Sequence, residues 1–427
     1  MMRRPVLLFF AIFVLVVGVG LVMGVPFTTR LLVEAMAYAL IALGLNIQFG
    51  YGGLFNFGVM GFLMIGGLAT VFISFPINPD FWNSEGPTML GRALLAFVAG
   101  GLLVWGARKA DRIGIRGRWK TALLVLCWFA AYLVYRSQID PAAKYIEASS
   151  GWVGGLGLHP VFGWLFGGLL AAIVALIIGK IALGLRTDYL AIATIGISEI
   201  LRALVKNMDW LTRGTQTVSP VPWPTPLPQA LQAGGWSIND SFIGARLGFL
   251  ALVVALFAVL FFLVQRAYGG PWGRMMRAIR DNFIAAGSMG KNVKARQLEI
   301  FVLGSVLMGI GGAMLVSFNQ ILDPSGYQPI NHTFLIWVMV IVGGVGNNWG
   351  VLLGTLLIYI VFVVSDPVAQ FLLLNLSSFT EQAGWGAIPE IDSRSLQMRV
   401  FVLGVVITLA LRYAPKGLLP EVVKREA

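Results

Sequence analysis

Amide side chains that could bind a small polar solute lie inside two of the most hydrophobic stretches of this chain. The first stretch reads LNIQFGYGGLFNFGVMGFLMIGG and carries Asn46, Gln48 and Asn56, whereas the second reads GGVGNNWG and carries Asn347 and Asn348. An amide offers hydrogen-bond donors and acceptors but does not titrate, so it can bind a solute without activating it. We expect these amides to line a polar path. The alternative, that they only hydrogen-bond one helix to another, fits the sequence equally well.

Titratable side chains are sparse in the apolar segments. Glu199 lies in one of them, with Arg202 three residues later. Because a lone charge near the bilayer centre costs roughly 2.5 to 3.5 kcal/mol on insertion scales, we expect Glu199 to face a cavity on the solute path or to pair with Arg202. Glu34 lies near the end of its apolar run and is expected at the membrane interface. His159 and His332 have no neighbouring Cys or carboxylate, so neither an enzyme, a cofactor nor a metal site is predicted.

Nucleotide-binding patterns are also missing from the sequence. A phosphate-binding loop requires G-x-x-x-x-G-K-[ST], but the Gly-Lys pairs at Gly179 and Gly290 are followed by Ile181 and Asn292. The glycines of GGVGNNWG lack the βαβ context of a dinucleotide-binding fingerprint. We therefore expect no energy-coupling chemistry within this chain.

Membrane-spanning helices are the elements that must position the amides. Hydrophobic residues make up 58% of the 427 residues and charged residues 12%, against about 45 to 50% and about 25% in soluble domains. Several apolar runs reach the length of about 20 residues that a spanning helix needs, and strand-like alternation is absent. The sequence predicts an all-α polytopic transmembrane bundle of about ten to twelve spans. We expect glycines to break the helix in each of the two amide-bearing stretches. Paired interruptions of this kind mark the solute pathway of a carrier.

The distribution of basic residues predicts the orientation. The formal net charge is +12, but most of the Lys and Arg residues cluster in short segments between apolar runs, as the positive-inside rule requires. No nucleic-acid partner is needed to explain them. We expect both termini in the cytoplasm. The run Pro5–Val25 is longer than the apolar core of a signal peptide, so an uncleaved first span is expected.

Two polar connectors are candidates for contact with other proteins. Residues 209–244, expected on the outer side, are rich in Pro and Trp and either cap the outer face or dock an extracytoplasmic partner. Residues 266–299, expected in the cytoplasm, alternate apolar and basic residues, which predicts an amphipathic helix against the membrane face. Either the basic residues of this connector only determine the membrane topology, or the connector binds a cytoplasmic protein.

The second connector resembles the EAA loop of ABC importer permeases, the cytoplasmic element that seats on the ATPase subunit. The family pattern is two alanines, three residues, a glycine, nine residues and an isoleucine. The matching residues here are Ala285, Ala286, Gly290 and Ile300. Phe283 or Ile284 stands where the family has an acidic residue. The resemblance implies that this loop couples the chain to an ATPase.

Three further stretches resemble the permease subunits of branched-chain amino acid importers. They read LGLNIQFGYGGLFNFG, RTDYLAIATIGISEI and VMVIVGGVGNNWGVLLG, and they follow one another in the family's order. The resemblance implies one transmembrane permease domain over residues 1–427. One departure is large, because residues 78–160 form an insert that the family usually lacks. Its sequence predicts an apolar helical hairpin with a basic cytoplasmic bend.

The resemblance implies the permease subunit of an ATP-driven importer that translocates leucine, isoleucine and valine across the bacterial inner membrane. The implied partners are ABC ATPase subunits, a second permease subunit in a heterodimer, a periplasmic solute-binding protein and the surrounding membrane lipid. A urea or short-chain amide permease of the same family is the alternative, because the binding protein would set most of the selectivity. An ion-coupled carrier is a third hypothesis, and Glu199 is the strongest ionisable candidate for it.

Overall fold

Helices form the whole framework of this chain. The computed structural model describes residues 3–110, 116–384 and 386–421, in which the extended pairing is limited to two isolated bridges. In these residues nine helices are long and apolar enough to cross a membrane, and two shorter apolar helices, Val59–Ser74 and Ile330–Gly343, accompany them. The prediction of an all-α polytopic bundle is therefore confirmed.

Most of the long α-helices coincide with apolar runs of the sequence. In chain order they are α1 (Arg3–Met23), α2 (Val25–Leu45), α3 (Val59–Ser74), α4 (Pro79–Trp82), α5 (Gly86–Arg108), α6 (Arg118–Ser149), α7 (Pro160–Ala182), α8 (Thr187–Lys206), α9 (Asp209–Thr212), α10 (Pro228–Ala233), α11 (Ile238–Gly269), α12 (Pro271–Asp281), α13 (Phe283–Ser288), α14 (Val293–Asn319), α15 (Leu335–Gly343), α16 (Asn348–Gln382) and α17 (Ile391–Tyr413). Two π-helical segments, Asn46–Tyr51 and Ile330–Phe334, continue α2 and precede α15.

The core is built around α2 and α14, the two spanning helices that are most buried. Helix α14 packs on α7, α3 and α2, while α2 also contacts α11 and α16. In both helices the buried residues lie on every face over most of the length, which is typical of helices that other helices surround. By contrast, α5 and α6 pack mainly on each other, and most of their large apolar side chains remain exposed to the surroundings.

Glycines allow α3, α7 and α14 to approach each other closely. A Cβ atom built on Gly66 of α3 would lie 1.9 Å from the carbonyl oxygen of Gly309 in α14. One built on Gly312 would lie 2.2 Å from the carbonyl oxygen of Leu63. Since both obstacles are backbone atoms, neither can be moved by a change of rotamer. Small residues at these positions let the two backbones touch, as in other membrane helix pairs.

We expect Gly66→Ala to lower the thermal unfolding midpoint of the purified chain, because overpacking of this kind costs about 1 to 3 kcal/mol. Gly101→Ala on α5 is the matched control, since a Cβ there meets nothing within 4 Å. The measurement is thermal unfolding in detergent, followed by the loss of the monodisperse peak in size-exclusion chromatography. Equal midpoints for the two variants would contradict the close packing of α3 on α14.

Two interruptions divide the helices where the sequence predicts glycine breaks. The first covers residues 52–58, between the π-helical end of α2 and the start of α3, and the second covers residues 344–347, between α15 and α16. Gly53 and Gly346 adopt φ angles of 65° and 80°, which side chains rarely tolerate. Glycine is therefore favoured at these two positions by the backbone conformation as well as by close packing.

Three separate segments meet at one end of the bundle. The Phe9 ring of α1 lies 6.1 Å from the Trp349 ring at the start of α16, and Glu421 forms an ion pair with Arg280 of α12. The start of α1, residues 414–421 and the connector 266–299 therefore share this end, which we call the connector end. Residues 1–2 and 422–427 lie outside the described residues, as do residues 111–115 of the basic bend. A cytoplasmic location of the connector end stays a prediction.

Candidate functional site

The two helix interruptions, far apart in sequence, are joined by hydrogen bonds between buried amides. Asn46 Nδ2 donates to Asn348 Oδ1 over 3.1 Å, and the backbone N–H of Gly346 donates to Asn46 Oδ1 over 2.9 Å. The Tyr51 hydroxyl also donates to Asn348 Oδ1. Asn348 Nδ2 in turn donates to Gln265 Oε1 of α11 over 2.7 Å. The first break, the second break and the end of α11 thus form one hydrogen-bonded unit.

The other two amides of the first stretch join its break to α14. Gln48 Nε2 donates to the Phe301 carbonyl over 2.7 Å and to Ser305 Oγ over 3.0 Å. Asn56 Nδ2 donates to Gln48 Oε1 over 2.7 Å, and Asn56 Oδ1 accepts from the Gly58 N–H. Each of these buried amides is satisfied by protein groups. In this conformation they connect the first break to α14.

The remaining two candidates lie outside this buried network. Asn347 is half-buried and caps α16, because its Oδ1 accepts from the N–H groups of Trp349 and Gly350. Glu199 is partly exposed on α8 and pairs with Arg202 at 2.8 Å. The structure therefore unites Asn46, Gln48, Asn56 and Asn348, and separates Asn347 and Glu199 from them. A role of any of these six residues in a solute path stays a prediction.

Arg280 of α12 connects the connector to the first break. Its Nη1 donates to the Gly50 carbonyl and lies 2.9 Å from Glu421 Oε2, while its Nε lies 3.1 Å from Asp281 Oδ1. Burial disfavours the charge of Arg280, but the ion pairs with Glu421 and Asp281 outweigh that effect and hold its pKa above the ordinary value. Because both the Arg280 and Glu421 side chains are mostly buried, this pair is shielded from solvent screening.

Two stacked tyrosines complete the path from the connector to the second break. The rings of Tyr51 and Tyr268 stack with centroids 3.7 Å apart. The Tyr268 hydroxyl donates to Glu421, and the Tyr51 hydroxyl donates to Asn348. A displacement of Arg280 or Glu421 would therefore be transmitted to both breaks. We call Arg280, Glu421, Tyr268, Tyr51 and Asn348 the latch.

The residues of the EAA-like pattern lie on the connector at the same end of the bundle. Ala285 is exposed in α13, whereas Ala286 is buried. Gly290 has a φ of 76°, and a Cβ there would meet nothing within 4 Å. Ile300 is buried on α14, and its Cγ2 would lie 3.0 Å from a Cβ on Gly52. The pattern thus runs from an exposed helix to the wall of the first break.

The sequence predicts the EAA-like loop of the connector but not the latch. Arg280 was one basic residue among several in the connector, which the positive-inside rule already explains. Glu421 lies 141 positions further along the chain, and nothing in its neighbourhood marks a partner. The only signal for Arg280 is its place on the amphipathic helix α12, next to the buried Ile279.

Comparison with known proteins identifies a transport family. The model of the family described as "branched-chain amino acid transport system / permease component" matches residues 27–139 and 120–411. The high-affinity branched-chain amino acid transport system permease protein LivM of Escherichia coli is 29% identical over 264 residues, which cover 59% of this chain and 56% of that protein. A probable branched-chain amino acid transport permease protein LivM of Methanocaldococcus jannaschii is 25% identical over 407 residues, 93% of this chain and 95% of that one.

A more distant match is a xylose transport system permease protein, XylH of Haemophilus influenzae, with 32% identity over 26% of this chain and 30% of that protein. The chain spans about half the length of the Escherichia coli relative that it matches. No solved structure matches the chain at a significant level.

Proposed function

This chain belongs to the family of permease components of branched-chain amino acid transport systems, and from that premise we propose that it is the membrane-spanning subunit of an ATP-driven importer. It is a multi-pass membrane permease. The cargo that we propose is leucine, isoleucine and valine, and the names of the relatives favour these over urea or short-chain amides. The proposed location is the bacterial inner membrane, with both termini and the connector in the cytoplasm.

Exposed apolar side chains on the connector carry this proposal. Phe283, Ile284 and Met289 are 60%, 68% and 81% exposed, respectively. They lie on or beside the short helix α13, at an end of the bundle where basic residues are concentrated. Apolar side chains clustered in this way mark a protein interaction site. Phe283 or Ile284 replaces the acidic residue of the EAA pattern, so we propose that the ATPase is held here by apolar contact rather than by an ion pair.

The proposed mechanism is a shift between two conformations of the permease. Nucleotide binding to the ATPase subunits would favour one arrangement of the connector, and the latch would transmit that preference to both helix breaks. A second permease subunit, a periplasmic binding protein and the membrane lipid complete the proposed assembly. In this scheme residues 1–427 form one permease domain, residues 266–299 are its coupling loop, and the insert 78–160 contributes the outlying hairpin α5–α6.

We expect Gly290→Arg to abolish association with the ATPase subunits while membrane insertion stays intact. A non-glycine residue at a φ of 76° is strained, by roughly 1 to 2 kcal/mol, and the arginine would project beside the exposed side chains of α13. The measurement is co-purification of candidate ATPase subunits with the tagged chain.

Gly117→Arg is the matched control for this experiment. Gly117 also has a positive φ, 63°, and open space around its Cβ position, but it precedes α6 in the hairpin rather than α14. Its variant is expected to retain the ATPase. If Gly290→Arg co-purifies with the ATPase as well as Gly117→Arg does, the coupling loop is wrongly assigned.

A further inference from the structure

A large cavity lies at the end of the bundle opposite the connector. Its volume is about 750 Å³, within the range of about 300 to 1,000 Å³ that small-ligand sites occupy. The first half of α2, the end of α14, the loop 320–329 and the middle of α16 surround most of it. In the orientation proposed above, it faces the side from which an importer receives its cargo.

A basic group with free donors lines this cavity. Arg30 Nε lies 3.3 Å from Glu34 Oε1, and Glu34 also accepts a hydrogen bond from the Tyr359 hydroxyl. Glu34 is therefore held by two partners. The Arg30 side chain is 58% exposed, and its Nη groups donate to none of the described residues. An arginine with two unused Nη groups is suited to a carboxylate, which it can bind through two parallel hydrogen bonds.

An acidic group with free acceptors lines the same cavity. Asp323 Oδ1 accepts from the Ser325 N–H over 2.8 Å, but Asp323 forms no ion pair with any residue that the structure describes. The other two acidic lining residues already have partners, since Glu34 is held by Arg30 and Tyr359 and Asp366 is paired with Arg399 at 2.6 Å. Asp323 thus remains available for a cationic group such as an ammonium.

Apolar and aromatic side chains form a further part of the wall, beside the polar side chains of Asn319, His332, Gln370 and Arg399. Leu31, Leu63, Leu315 and Val316 contribute aliphatic surface from α2, α3 and α14. The rings of Tyr38 and Tyr359 lie 5.0 Å apart. A cavity that combines a free basic group, a free acidic group and an aliphatic wall matches a zwitterion that carries an apolar side chain.

We propose that this cavity is a binding site for a free α-amino acid with an aliphatic side chain. The carboxylate binds Arg30, the ammonium binds Asp323, and the side chain packs on the aliphatic wall. This inference rests on the proposed function and adds to it a site within this chain, so that the permease selects its cargo as well as conducting it.

A hydrogen bond joins the Glu199–Arg202 ion pair to a loop that lines this cavity. Arg202 pairs with Glu199 and donates from Nη1 to the Tyr327 carbonyl over 3.0 Å. Tyr327 lies on the loop 320–329, which also carries Asp323. The Glu199–Arg202 pair on α8 therefore braces the loop that positions the ammonium site.

Binding to the full-length chain in lipid nanodiscs tests the site, with equilibrium dialysis as the measurement. The three probes are L-leucine, 4-methylpentanoate, which lacks the ammonium, and 3-methylbutylamine, which lacks the carboxylate. Leucine is expected to bind saturably, and each analogue at least about tenfold more weakly, because each leaves one charged group of the site without a partner.

Two variants identify the groups that hold each end of the ligand. Arg30→Gln should weaken leucine binding by at least about tenfold without weakening 3-methylbutylamine, and Asp323→Asn should weaken leucine without weakening 4-methylpentanoate. Arg136→Gln is the matched control, since Arg136 pairs with Asp140 at 2.8 Å in the same i,i+4 geometry on the outlying helix α6. Its leucine affinity should equal that of the unmodified chain.

The proposal is overturned if leucine does not bind saturably, if both analogues bind as tightly as leucine, or if Arg30→Gln and Asp323→Asn bind leucine like Arg136→Gln. These outcomes concern the site alone. Leucine uptake that requires ATP and is undiminished in both cavity variants would overturn the site and leave the proposed function standing. Saturable leucine binding without any ATP-driven uptake would instead refute the proposed function.

Discussion

Arg280→Ala is expected to reduce ATP-driven uptake by about two orders of magnitude while the ATPase subunits remain bound. The substitution leaves the mostly buried Glu421 without its ionic partner, with the Tyr268 hydroxyl still bonded to it. Loss of one member of such a pair costs about 3 kcal/mol, which corresponds to roughly a hundredfold change in an equilibrium. It also removes the donor to the Gly50 carbonyl. Because Arg280 lies outside the exposed surface of α13, docking should persist. Uptake and ATPase co-purification, measured on one preparation, separate these two effects.

A double-mutant cycle with Glu421→Gln distinguishes the latch from general destabilisation. If Arg280 and Glu421 act together, the double variant should lose little more uptake than either single variant, because the shared interaction can be removed only once. Arg274→Ala is a control on the same helix, since Arg274 is exposed. Additive losses from Arg280→Ala and Glu421→Gln would show that the two residues do not work through each other.

The helical framework was predictable because it follows from composition and local pattern. Apolar runs of spanning length, framed by basic segments, specify membrane helices without knowledge of tertiary contacts. The two glycine-rich breaks were predictable for the same reason. Helix α8 shows the limit of this approach. The apolar segment that carries Glu199 is expected to lie in the membrane, but in the described residues α8 is amphipathic and is not among the nine helices apolar enough to cross it.

The hydrogen bonds that join the two helix breaks could not be predicted from the local sequence pattern. Asn46 and Asn348 are separated by 302 positions, and no periodicity predicts that their amides meet. Within the described residues, the buried amides bond to each other and to the backbone, as the helix-joining alternative requires. Whether they also contact a solute depends on a second conformation, which the spacing of residues in one sequence does not encode.

The sequence contains one signal for the cavity opposite the connector end, the spacing of three polar side chains on α2. Arg30, Glu34 and Tyr38 are spaced four residues apart, so they share one face of α2. Only 7% of Glu34 is exposed, and Tyr359 donates a hydrogen bond to it. The interfacial location expected for Glu34 stays a prediction. The opposing groups, on α16 and the loop 320–329, become neighbours only through tertiary packing.

ATP-driven leucine uptake into proteoliposomes tests the central claim most directly. The vesicles contain this chain, its partner permease and the ATPase subunits, and labelled leucine is supplied with the binding protein on the opposite side from the nucleotide. We expect accumulation only when both ATPase subunits and hydrolysable ATP are present, because this chain shows no energy-coupling motif of its own. Accumulation in vesicles that lack the ATPase subunits, at the same rate with and without ATP, would contradict the account.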